Sequence, residues 1–250
     1  MGIDLLSPLV KGIGSVRVSL RHGQGSHVVI DGRFLNHRMS ARSTAARDLV
    51  IDDDLTSHVR QCARHIRLFE GLGYRVTVVF DGSVPPAKAA AASELARQRE
   101  HARRRARDLD GRKVQPEAVN QVAVNACVFD ARTVARIAAL LRPKIKGKVF
   151  LAPGEAGPQL VVFQDVYRRN PQAKIVFVYA EDPELIVLGV RSLLWEVSET
   201  GGGDGALTGS CIHARAIFQP SPRDFAVDTN AHAFLRQLHG LPRRHDPALR

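Results

Sequence analysis

The sequence predicts an α/β domain with a mainly parallel central sheet flanked by helices. Short β-branched runs, such as HVVID at His27–Asp31 and YRVTVVF at Tyr74–Phe80, alternate with longer segments whose apolar residues recur every three or four positions. That alternation places parallel strands side by side with helical crossovers between them. The acids Asp31, Asp81, Glu155, Asp182 and Glu184 all come at, or just after, the end of a predicted strand. In such sheets ligands sit beyond the carboxyl ends of the strands, so several strands deliver carboxylates to one edge.

Each element has its own justification. HVVID reads as a short buried strand ending in an acid. Leu55, Val59, Cys62, Ile66 and Phe69 fall on one face of a helix over 55–68, stopped by Gly71 and Gly73. YRVTVVF is the next strand and ends at Asp81. Pro85 and Pro86 break the chain, and 89–109 has the alanine and arginine content of a helix. Glu117 to Leu141 is expected as one helical stretch, with Val119, Val122, Ala126, Phe129, Val134, Ile137 and Leu141 as core contacts and Pro143 as its stop. KVFLAPGEAG is a strand running into a loop that carries Glu155. PQLVVFQDVYRR suits a helix starting at Pro158, where proline is tolerated. KIVFVYAEDPEL is a strand ending in Glu181, Asp182 and Glu184, and RSLLWEV is one more strand. After about residue 200 the character changes: TGGGDGALTGS is a flexible loop by composition, and the rest is Pro-, His- and Arg-rich with weak periodicity. The sequence shows no internal repeat.

The totals narrow the function classes. The chain has 250 residues, 44% of them apolar, which is enough for a packed core. Lys and Arg number 36 against 25 Asp and Glu, a net charge of +11. Such a surplus favours polyanionic partners, nucleic acid first and an anionic membrane second. The scattered Cys62, Cys127 and Cys211 form no CxxC pair, which argues against a disulfide framework or a zinc ribbon. An intracellular, reducing compartment is expected, nucleus or mitochondrion rather than secretion. No apolar run approaches the roughly 18 residues of a membrane span. The start MGIDLLSPLVKG is neither a secretory signal nor an Arg-rich presequence, and it misses the myristoylation pattern by one place.

Other motifs fail on chemistry. GIGSVR lacks the third glycine of a dinucleotide fingerprint, and GGGDGALTG lacks the Gly-Lys-Ser/Thr of a phosphate loop. There is no G-x-S-x-G elbow. Cys62 and His65 share a predicted helix and read as a core cysteine and a solvent-facing histidine. The five acids carry more weight. Clustered carboxylates repel unless protonated or neutralised by a cation, and hard oxygen ligands suit Mg²⁺ or Mn²⁺. Two such ions about 4 Å apart clamp a phosphodiester for in-line attack by water. The competing reading makes acids such as Asp81 and Asp182 helix N-caps. The basic stretch after Asp81 holds Lys88, Arg97, Arg99, His101, Arg103, Arg104, Arg105, Arg107, Arg112 and Lys113 with almost no aromatic residues. That composition points to phosphate contact rather than base reading.

Five motifs occur in order: MGIDLLSPLVK at the N-terminus, VVIDG at Val28–Gly32, VVFDGSVPPAK at Val78–Lys88, LAPGEAGPQL at Leu151–Leu160 and AEDPELIVLG at Ala180–Gly189. Together they resemble the flap endonuclease / XPG group of structure-specific 5′-nucleases, which have a PIN-like fold. The resemblance covers roughly residues 1–200, with an arch-like segment at about 85–113 and a basic extension at 201–250. It implies that Asp31 and Asp81 match the first two metal-binding aspartates. Glu155 matches the first acid of an E-A-D/E motif, and Asp182 the first acid of an E-D-x-D motif. Lys88 matches a lysine that reaches the scissile phosphate, and Gly2 a residue whose amino end lies near the site. The arch arginine corresponds to Arg97 or Arg99.

Three departures stand out. Gly157 occupies the place of the second acid of E-A-D/E, Glu184 replaces an aspartate, and 201–250 shows no convincing helix-two-turn-helix, with Asp224 and Asp228 as stray acids. Two readings follow. One is a divergent Mg²⁺-dependent nuclease with Asp31, Asp81, Glu155, Asp182 and Glu184 on metal and Lys88 on phosphate. The other is a degenerate nuclease fold that binds nucleic acid or acts as a scaffold subunit in a ribonucleoprotein or regulatory complex, with protein partners.

Overall fold

The computed structural model describes residues 15–83, 89–199 and 207–214. Gly2, Lys88, Asp224 and Asp228 lie outside the described residues. The chain divides into two compact units, one over 21–176 and one formed by 1–20 with 177–250. Among the described residues there are seven strands and eight α-helices.

In the 21–176 unit, β2 (His27–Asp31), β3 (Arg75–Phe80) and β4 (Lys148–Leu151) pair in parallel, in the order β2-β3-β4. The register sets Asp31 opposite Val79 and Phe80 opposite Leu151. Val28, Val29, Ile30, Val78, Val79 and Phe80 have no exposed surface, so both faces of these strands are covered. That burial explains why their sequences are nearly continuous apolar runs rather than alternating ones.

The helices of this unit are α1 (Gly32–Ser40), α2 (Ala45–Asp52), α3 (Thr56–Gly71), α4 (Ala89–Gly111), α5 (Pro116–Ala123), α6 (Ala131–Leu141) and α7 (Ala156–Arg168). Helix α3 buries His58, Val59, Cys62, Ala63, His65, Ile66 and Phe69 along one stripe. It ends near Gly73, whose φ of +87° favours glycine. Helices α1 and α2 are short and carry no clear periodic signal in the sequence.

The single helix expected over 117–141 is two helices. A 3₁₀ turn at Val124–Ala126 follows α5, and Asp130 starts α6 by accepting a hydrogen bond from Thr133 N at 2.7 Å. The apolar spacing runs through both pieces because both bury an inward stripe, so only the cap at Asp130 marks the break. Cys127, in the intervening loop, is buried with Val50, Ala106, Val119 and Ala126. Asn120 joins this cluster to α1 and α2. Its Oδ1 accepts from Ala46 N and Arg47 N at 2.8 and 2.9 Å, and its Nδ2 donates to Ser40 O at 3.3 Å. Helix α7 begins two residues before Pro158, which therefore falls in its first turn.

The other unit contains β1 (Ser15–Leu20), β6 (Ser192–Glu199), β7 (Leu207–His213) and the one-turn α8 (Glu184–Val187), with β5 (Val176–Tyr179) at the boundary. β5 and β6 are parallel, whereas β7 is antiparallel to both β6 and β1. Part of the stretch expected as a glycine-rich loop is therefore a strand. Leu207, Cys211 and Ile212 are buried, and this apolar content overrides the flanking glycines. No helix among the described residues is long and apolar enough to cross a membrane.

Candidate active site

The 21–176 unit carries three of the five acids at the carboxyl ends of its parallel strands. Asp31 closes β2 and caps α1: its Oδ1 accepts from Arg33 N at 2.8 Å and from Phe34 N at 3.4 Å. The cap role foreseen for Asp81 thus belongs to Asp31. Asp81 follows β3, and its Oδ1 accepts from Ala156 N at 2.7 Å. That bond ties the end of β3 to the start of α7, whose N-cap position is Glu155. The turns close tightly there: Gly82 N donates to Gly154 O at 2.7 Å, and a Cβ on Gly82 would lie 1.9 Å from Ala152 O. Only glycine fits at 82.

The environment of Asp31 disfavours its charge. Desolvation first, and then the neighbouring Asp81 carboxylate, push its carboxyl up to about 7, against the opposing pull of the Arg33 and Phe34 amides and the Arg33 guanidinium. The donor set consists of hard oxygens, and a divalent cation would relieve the repulsion, so the pair fits Mg²⁺ or Mn²⁺. Among the described residues no group of three or more His, Cys, Asp or Glu side chains is disposed to hold a metal ion. What the geometry brings together is the Asp31–Asp81 pair with the Glu155 turn beside it. Gly157 lies in the first turn of α7 and offers no ligand.

In the other unit, Asp182 follows β5 and its Oδ1 accepts from Glu184 N at 2.9 Å. Glu184 is the first residue of α8. Asp182 therefore closes a turn before α8, whose N-cap position is Pro183, and is not the N-cap that the competing reading made it.

The arginines of α4 separate by environment. Arg97 is exposed and paired with Glu94. Arg104 pairs with Glu100 at 3.1 Å, Arg103 approaches the same carboxylate at 3.7 Å, and Arg105 is exposed with no ion pair among the described residues. Arg99 is half-buried; burial and the Arg33 guanidinium lower its pKa. Four residues before Arg103 and seven before the fully buried Ala106, Arg99 continues the inward stripe of α4. Arg33, two residues after Asp31, was not singled out in the sequence. Its only signal was its place behind an acid at a strand end.

Helix α3 corrects one further expectation. His65 does not face solvent: it is 8% exposed and sits edge-on to Phe69 at 5.8 Å. Cys62 is fully buried as expected, and its polar neighbour is His58, whose Nε2 lies 3.5 Å from Sγ and 3.0 Å from Asn36 Oδ1. Burial pushes both imidazoles down to about 4, aided by His37 at His58 and by Arg38 and Arg42 at His65.

No protein-family model and no curated protein matches the chain. Solved structures do. Human GEN1 in complex with Holliday junction DNA aligns over 95% of this chain and 55% of its own, at 11% identity and a TM-score of 0.50. The catalytic core of Rad2 in complex with DNA substrate aligns over 86% of this chain and 54% of its own, at 17% identity and a TM-score of 0.49. The Holliday junction-resolving enzyme GEN1 in complex with product DNA and Mg²⁺ aligns over 84% and 39%, at 18% identity and a TM-score of 0.46. The chain thus spans about half the length, or less, of the structures it matches. At such identities the likeness is one of fold, and the GEN1 complex with Holliday junction DNA carries it. Parallel strands followed by acids, joined through flanking helices that include a long arginine-rich one, give this chain a PIN-like α/β fold.

Proposed function

We propose that the chain is a divergent, divalent-metal-dependent nuclease-like domain that grips nucleic acid by its phosphates and hydrolyses phosphodiester bonds slowly. One observation carries this reading: β2, β3 and the turn after β4 bring Asp31, Asp81 and Glu155 to the carboxyl ends of adjacent parallel strands, with Ala156 N fastening Asp81 to that turn. The matched Rad2 and GEN1 structures hold DNA, and two GEN1 structures hold Mg²⁺, one of them with Mn²⁺ as well. Here the Asp31–Asp81 pair would hold the ion, with Glu155 on the neighbouring turn. The metal would supply charge neutralisation and a reactive water at neutral pH.

The chain's own groups do the positioning. Arg99 and Arg33 attract phosphate toward the carboxylate pair, and Arg99 rather than Arg97 is the arch arginine because Arg97 already has Glu94 as partner. Lys88 contributes a further phosphate contact. Arg103, Arg104 and Arg105 add long-range attraction, weakened at Arg103 and Arg104 by Glu100. An intracellular setting accords with three free, buried cysteines.

The second reading is a binding or scaffold subunit without catalysis. It is favoured by Gly157 in place of an acid. One experiment separates the two. Labelled single-stranded DNA, flap DNA and RNA are incubated with the chain and Mg²⁺ or Mn²⁺, in parallel with Asp81→Asn. Metal-dependent cutting that the variant loses supports the nuclease. Salt-dependent binding with no cutting of any substrate supports the subunit reading.

A further inference from the structure

β4 is the outer strand of the β2-β3-β4 group: it pairs with β3 on one side and with no described strand on the other. The ladder shows which groups face the open side. Ala152 N donates to Phe80 O at 2.8 Å, so Lys148, Phe150 and Ala152 turn their backbone toward β3. The alternate residues Gly147, Val149 and Leu151 turn theirs outward. Gly147 confirms the phase, because its N–H meets Glu70 Oε1 at 2.7 Å instead of β3. Val149 and Leu151 therefore present N–H donors and C=O acceptors along an edge of about 13 Å, at roughly 3.3 Å per residue.

The side chains along this edge do not guard it. Phe150 is 37% and Leu151 42% exposed. The Phe150 ring lies 4.7 Å from that of Phe163 on α7, where Val162 and Val166 are also half-exposed. At the start of the strand a cleft of about 430 Å³ is lined by Arg67, Glu70, Pro143, Lys144, Ile145 and Lys146. Glu70 is occupied by Gly147 N, and Arg67 donates to Lys144 O. Lys144, Lys146 and Lys148 make no ion pair with described residues. Open edges invite another strand, and apolar ones most of all.

We infer that the β4 edge is a docking site for an extended acidic–apolar segment of a partner protein, added as a strand beside β4. The lysines set the partner's charge. Acidic residues belong near Lys144, Lys146 and Lys148, and apolar ones beside Phe150 and Leu151. Lys148 and Phe150 share one face of β4 and Leu151 lies on the other, so the acids sit together at the end of the partner beside Lys144, Lys146 and Lys148 and the apolar residues together beside Phe150 and Leu151. A nucleic-acid backbone fits less well: phosphate oxygens only accept, leaving the Val149 and Leu151 carbonyls without donors, and the exposed phenylalanine and valines without cover. This inference stands apart from the nuclease reading and uses none of its residues.

The test uses the full chain and a fluorescein-labelled eight-residue peptide with glutamates in one half and valine and phenylalanine in the other. Fluorescence anisotropy should show saturable binding. Lys146→Glu with Lys148→Glu should weaken it about tenfold or more, and so should Leu151→Pro, which deletes an outward N–H while leaving the β3 ladder intact. A peptide N-methylated at alternate residues should fail to bind in the one register that blocks its bonds to β4, a readout that needs no variant to fold. The inference is overturned if the N-methylated peptides all bind equally, if a lysine-for-glutamate peptide binds as well, or if a single-stranded oligonucleotide takes the edge and the acidic peptide does not.

Discussion

Two regions of the 21–176 unit desolvate titratable groups, and they treat them in opposite ways. At the ends of β2 and β3, Asp31 beside Asp81 has its carboxyl pushed up to about 7. On the inner face of α3, His58 and His65 are pushed down to about 4. The leading cause is the same, because burial disfavours whichever form is charged. The consequences differ. The acid lands near neutral pH, where its charge can change. The histidines leave the physiological range and become neutral packing groups. Burial alone does not separate a site from a core; where the titration lands does.

The largest expected effect tests the histidine half of that contrast. Their folded pKa values lie below the unfolded value near 6.5, so the unfolded chain binds more protons between pH 6.5 and 4. Stability should therefore fall as pH drops through that window, by about 3 kcal/mol per histidine at most. His58 faces His37, Asn36, Cys62 and Phe129, and His65 faces Arg38, Arg42 and Phe69. Urea titrations at pH 7, 5.5 and 4 measure the fall, and His58→Leu should remove about half of it. A flat profile would place both rings in water.

The acid half is tested by catalysis. Asp81→Asn should cost about 100-fold or more in metal-dependent cleavage, since small displacements of reacting groups already cost that much. Retained cutting would remove Asp81 from the machinery.

A smaller effect sharpens the contrast. Without metal, Asp31→Asn should stabilise the fold by about 1–2 kcal/mol at pH 7, because it removes a desolvated carboxylate and keeps a good N-cap. A raised folded pKa makes the native state bind more protons between pH 4 and 7, so the parent loses stability as pH rises through 7. The gap between variant and parent should open over that window, and millimolar Mn²⁺ should narrow or reverse it. Thermal melts with and without Mn²⁺ decide. Smallest of all, Gly157→Asp should raise Mn²⁺ affinity modestly by adding an oxygen in the first turn of α7, and calorimetry would detect it.

The sequence made the strands easy to read because β2, β3 and β4 are short apolar runs with an acid at or within a few residues of their ends, and the order of those acids carried the fold as well. It hid what depends on contacts between distant segments. The break between α5 and α6 lies under unbroken apolar spacing. β7 lies beside glycines that dominate its composition. Arg33 and His58 look like ordinary helix residues until α4 and Phe129 are set against α1 and α3. Asp81 showed as an acid after a strand, but its bond to Ala156 N spans 75 residues and no local pattern announces it.

The Asn120 amide spans nearly as far. It receives the Ala46 and Arg47 amides across 74 and 73 residues and gives one hydrogen bond back to Ser40 O. Those two amides open α2 and have no earlier partner within their own helix. They are therefore shielded from solvent hydrogen only while α5 is docked. Deuterium uptake at Ala46 and Arg47 becomes a clock for the seating of α5 and, through their shared core, of the arginine helix α4, read out on a third helix.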